Sequence, residues 1–188
     1  MTGSDPQTGA PPTAPGPLGQ LRQIQVSFDA ENDRLLLRVN TSENVELRFW
    51  LTRRIVKRLW PILVRSLRAN EEAVMQPTPE RREAVLAFQH EGAVASSDFT
   101  QRFAEKQAAT PLGASPILAT KVRLDRAGTA HRLAIHPAKG QGATLTLQEP
   151  ILHSFCELLR RAVRVSDWDL ALDALPPSAP TADPALRH

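Results

Sequence analysis

Residues 45–63 read VELRFWLTRRIVKRLWPIL, and the hydrophobic period changes halfway along. Val45, Leu47, Phe49 and Leu51 fall on every second position, the period of a strand. After Thr52 the period lengthens: Ile55, Leu59, Ile62, Leu63 and Leu67 recur at helical spacing, which predicts a helix from about Arg53. Pro61 falls inside it, where it removes a hydrogen bond and crowds the preceding turn. A kinked helix is therefore expected, in preference to a second helix opening at Pro61.

Upstream, Ile24, Val26 and Phe28 alternate with Gln23, Gln25 and Ser27, and Leu35, Leu37 and Val39 mark a second strand over Arg34 to Asn40. The intervening Asp29-Ala30-Glu31-Asn32-Asp33 and the later Thr41 to Asn44 are rich in turn formers. The same strand, strand, strand, helix order returns at an offset of 96 residues. Val26 then meets Val122, Leu37 meets Leu133, Phe49 meets Leu145, Ile55 meets Ile151 and Leu63 meets Leu159. Strands are predicted near Thr120–Asp125, His131–His136 and Ala143–Leu147, with a helix from Pro150. Residues 79–108 read as a helical connector, with Val85, Leu86 and Phe88, then Phe99 and Phe103, as its apolar side and a break near Gly92.

The expected fold is α+β: tandem duplicated β-β-β-α units forming an antiparallel sheet, helices on one face, related by a pseudo-twofold axis. Its units span 24–70 and 118–168 within one domain, 21–173. Residues 1–20 and 174–188 hold nine of the sixteen prolines and no period, and are expected to be disordered tails. The layout is similar in outline to the Pur-alpha repeat and Whirly families, whose units also place several strands before a helix, four where three are counted here. The likeness is one of layout.

Composition narrows function mainly by exclusion. No stretch approaches the ~20 apolar residues of a membrane span, so no membrane partner is expected. One cysteine, Cys156, allows neither an internal disulfide nor a cysteine metal cluster. The lone thiol and the lack of a basic start followed by an apolar run suggest the cytoplasm. Arginine outnumbers lysine 19 to 4, but Ala and Pro are abundant too, so the ratio reflects genome composition. The chain carries no HExxH, CxxC, Walker loop or GxGxxG, and nothing in it demands an enzyme, a cofactor or a metal.

Three places remain for binding. With helices on one side, the opposite sheet face should carry Arg38, Arg48 and Trp50 from the first unit and Lys121, Arg123 and Arg132 from the second. Such a face suits a protein partner or a second copy of the chain; as a basic sheet with an aromatic, it also suits single-stranded nucleic acid. The second place is the helix start Thr52-Arg53-Arg54, where two arginines oppose the helix dipole and, with the turn's amides, suit a small anion. The third is His153 with Cys156 on one helix face, read as a buried cysteine acting as a small hydrophobe. The leading expectation is a non-catalytic interaction or assembly module, ahead of nucleic-acid binding and of anion binding.

Overall fold

The computed structural model describes residues 19–97, 103 and 108–172. Both expected tails, apart from Gly19 and Gln20, lie outside the described residues, as do Phe99 and most of the connector beyond Ser97. The chain forms β1 (Leu21–Asp29), β2 (Arg34–Thr41), β3 (Glu46–Leu51) and α1 (Arg53–Arg68). It continues through α2 (Glu71–Val74), α3 (Pro79–Ser96), β4 (Ile117–Leu118), β5 (Lys121–Ala127), β6 (Ala130–His136), β7 (Ala143–Gln148) and α4 (Glu149–Arg164). The class is α+β, with four helices packed against two sheets rather than one antiparallel sheet. The first sheet runs β1-β2-β3-β4 and is mixed, because β4 returns parallel to β3. The second, β5-β6-β7, is antiparallel throughout.

Turn chemistry sets the hairpins. Asp29 Oδ1 accepts from the Asn32 backbone N–H at 2.8 Å, and Asp33 takes φ 47°, closing a four-residue loop between Asp29 and Arg34. The β5–β6 loop is only Gly128-Thr129, and Gly128 supplies the left-handed φ of 62° that so tight a connection needs. This difference corrects the gapless alignment. Leu37 faces Phe49 as Leu133 faces Leu145, in step with an offset of 96 residues. In the first hairpins, however, Val26 faces Leu37 whereas Leu124 faces Leu133, so Val26 matches Leu124 and not Val122. A slip of two residues keeps every side chain on its original face, which is why apolar spacing did not reveal it.

Thr52 caps α1 by accepting from the Ile55 amide, and the helix continues across Pro61 to Arg68 as one element. Both Pro61 and Lys57, whose carbonyl loses its partner to the proline, lie on the exposed side, where water can satisfy that oxygen. Ile55, Val56, Leu59, Leu63 and Leu67 of α1 and Leu152, Phe155, Cys156, Leu159 and Val163 of α4 are buried in one core with both sheets. Each such side chain stabilises the fold by roughly 1.5–3 kcal/mol relative to exposure. The helices pack on each other and reach across: α1 lies against β5, and α4 against β1. Two details differ from expectation. Helix α3 runs through Gly92 to Ser96, and its buried side is Leu86, His90 and Ala93, while Phe88 is 77% exposed. The short α2 was not anticipated, although Asn70, whose Oδ1 accepts from the Glu72 and Ala73 amides, is an ordinary N-cap.

Candidate functional site

On the outer face of the first sheet, strand alternation brings Arg38 opposite Arg48 and Leu36 opposite Trp50. Glu46, two residues before Arg48, points the same way and is only 4% exposed. Its carboxylate accepts from Arg48 Nε at 2.7 Å and from Arg38 Nε at 2.8 Å. The Arg48 bond, aided by Arg38 and opposed by desolvation, holds that carboxyl below the usual range. The chain then covers this face itself. Phe103 is buried, with the Arg38 guanidinium 4.1 Å from its ring centroid. Ala109 exchanges backbone bonds with Asn44 and Glu46, and the Ala114 carbonyl accepts from Arg48. Trp50 is half-buried in a cross-strand row with Leu36 and Leu118. Arg38, Arg48 and Trp50 are thus brought together, but on a partly covered face.

The outer face of the second sheet is open. Lys121, Arg123, Arg132, His136, Thr144 and Thr146 are all exposed. Arg123, 77% exposed, pairs with Asp125, and Asp125, Arg132 and Thr146 form one cross-strand row. Exposed pairing of this kind contributes little stability and leaves the arginines available to a partner. The four predicted arginines and one lysine therefore divide between surroundings of different kinds, not one continuous basic sheet.

At the first helix start, Arg53 and Arg54 are exposed, and Arg53 donates to the Asp169 carbonyl at 3.0 Å. Glu149, at the start of α4, accepts from the Asn70 side chain beyond the end of α1. The antiparallel run of α1 and α4 thus keeps Glu149 away from Arg53, so each helix start meets the chain leaving the other helix.

One feature escaped sequence reasoning. His90 of α3 and His153 of α4 are 0% and 1% exposed and meet Nδ1 to Nδ1 at 3.3 Å. His90 Nε2 faces Glu157 Oε2 across 3.8 Å, Arg161 donates to Glu157 Oε1 at 2.8 Å, and Arg160 stands 3.6 Å from Oε2. Burial alone would raise the Glu157 carboxyl, but His90, Arg161 and Arg160 outweigh it and hold it at about 2. Burial, reinforced by His90 and His131, lowers His153 to about 4. His131 is also buried and lowered by burial, with Ser66 Oγ 2.9 Å from its Nδ1. Apart from His153, singled out beside Cys156, the sequence signal was position: with the offset of 96 residues, His131 stands where Leu35 does, at a core site. Cys156 is fully buried, and burial raises its thiol well above the ordinary value, so it behaves as an apolar core residue. Among the described residues no three His, Cys, Asp or Glu side chains group to hold a metal ion, and no helix is long and apolar enough to cross a membrane.

Comparison of the chain with protein-family models, curated proteins and solved structures found no match.

Proposed function

We propose that this chain is a non-catalytic interaction module that meets an acidic protein surface through the outer face of β5-β6-β7. We propose also that its two β-β-β-α units arose by duplication and keep a pseudo-twofold relation. The observation that carries the functional reading is the contrast between the outer sheet faces. Phe103, Ala109 and Ala114 cover one, while Lys121, Arg123 and Arg132 stand exposed on the other. Lys121, Arg123 and Arg132 outnumber Asp125 on this face, so isologous pairing of two copies would set cations chiefly against cations.

Single-stranded nucleic acid has less support. Stacking needs aromatics among the cations, and the aromatic of the predicted surface, Trp50, sits on the other sheet. A small anion at Thr52-Arg53-Arg54 has less again, because the Thr52 hydroxyl and the Arg53 guanidinium already hold Ile55 N and Asp169 O.

The test is co-purification of the full chain from nuclease-treated lysate at about 50 mM salt, beside a variant carrying Lys121→Glu, Arg123→Glu and Arg132→Glu. The expected result is an acidic protein retained by the wild type, released as salt rises, and absent from the variant. Material that disappears on nuclease treatment would hand the surface to nucleic acid. Equal retention by both proteins would show that this face is not the contact.

A further inference from the structure

Helix α3 crosses α4 so that a cavity of about 500 Å³ opens between them, bounded also by the end of α1 and the β5–β6 turn. Phe88, Ala93 and Pro150 form its apolar wall, and Gln89, Glu149 and His153 are among its polar residues. The volume falls in the range of small-molecule sites, which combine apolar walls with a few converging polar groups. Two groups here are poorly served by the protein alone. Phe88 presents its ring to solvent, and the buried Nε2 of His153 has no hydrogen-bond partner.

The neighbours of His153 define what that nitrogen can accept. With its one proton on Nε2, toward the Glu157 carboxylate, a neutral His90 presents Nδ1 as an acceptor. The proton in the contact between the two rings then belongs to His153 Nδ1, and His153 Nε2 carries a lone pair. A ligand must therefore bring a donor. Glu149 and Glu72 line the cavity against one cation, Arg126, whose guanidinium donates to the carbonyls of Ala69 and Gly128, so the lining is negative on balance and opposes negative charge on a ligand.

We infer that this cavity binds a small, flat aromatic molecule that is not anionic, stacked on Phe88 and donating an N–H or O–H to His153 Nε2. This site shares no residue with the sheet face of the interaction reading and stands or falls separately.

The experiment is a titration of the full chain, followed by amide chemical shifts, with indole, 1-methylindole and indole-3-acetate. Indole should shift the Ala93 and His153 amides and saturate by about 5 mM, a typical fragment affinity. 1-Methylindole, which lacks the donor, and indole-3-acetate, which adds the charge, should each bind on the order of tenfold more weakly. Gly92 lines the cavity, and a Cβ built there meets nothing within 4 Å, so Gly92→Trp can direct a bulky ring into the cavity with no clash at its Cβ. It should abolish the indole shifts; should that variant lose its native spectrum, Gly92→Leu carries the same test. Absence of saturable binding, equal affinity for all three probes, or undiminished binding in the folded variant would overturn the inference.

Discussion

A buried imidazole in this protein is a costly choice that its neighbours make tolerable. The offset of 96 residues places His153 opposite Lys57, which is exposed on α1, whereas His153 is enclosed because α3 covers that side of α4. The pH dependence of stability follows. His153 titrates near 6.5 when unfolded and at about 4 when folded, so between those values the unfolded chain binds a proton that the native state excludes. Stability should fall as pH drops from about 6.5 to about 4, by roughly 3 kcal/mol from this group. Glu157 acts lower. Its folded value of about 2 means that its contribution is present above about 4.5 and lost as pH falls toward 2. Urea midpoints at pH 7, 5.5 and 4 should therefore decline steeply for the wild type and less for His153→Leu. Parallel declines would show that His153 is not the titrating group.

At the level of elements, what the chain made legible was what repeats. Alternation located six of the seven strands, and the shift to helical spacing located α1 and α4. What stayed hidden was set by packing partners. The apolar run Val85, Leu86 and Phe88 suggested one face for α3, but α3 rests on the polar flank of α4 and buries Leu86, His90 and Ala93 instead. β4 has two residues, too few to display a period. Gly92 suggested a break for the same local reason, yet α3 passes through it, and its substitution is a clean test. Gly92→Ala meets no atom within 4 Å and relieves the entropy cost of a helical glycine. It should stabilise the protein by about 0.5–1 kcal/mol, raising Tm by roughly 2–4 °C. Gly142→Ala should do the opposite, because the new Cβ would collide with the Ile135 carbonyl and the His136 backbone at the entry to β7. A Gly92→Ala protein that melts below wild type would mean that α3 needs that glycine for its approach to α4.

Across the whole molecule, the two sheets differ less in their strands than in what the rest of the chain does with them. The return from α3 to β4 has no hydrophobic period, so the sequence offered no hint that Phe103, Ala109 and Ala114 would lie at Arg38, Glu46 and Arg48 or that β4 would add an edge to β3. Only Glu46, in phase with Arg48 and Trp50 along β3, signalled that this basic face had an internal partner. Phe103 appears to local reading as one more apolar residue of a helical connector, but its ring lies against the Arg38 guanidinium of the first sheet, where it would act as a latch. Phe103→Ala should remove that cation–π contact and the burial with it, at about 2–4 kcal/mol for the segment. The loss should be local. Ala109 N–H bonds to the Asn44 carbonyl and Glu46 N–H to the Ala109 carbonyl, so both amides should exchange faster once the latch is gone. Leu133, in the middle strand of the second sheet, reports the fold as a whole and should change less, by on the order of tenfold. Acceleration of Ala109 and Glu46 beyond that of Leu133, measured by native-state hydrogen exchange, would establish a strap that opens independently of the core. Equal acceleration at all three amides would make residue 103 an ordinary core position, and the contrast between a self-covered and an open sheet face would lose its meaning.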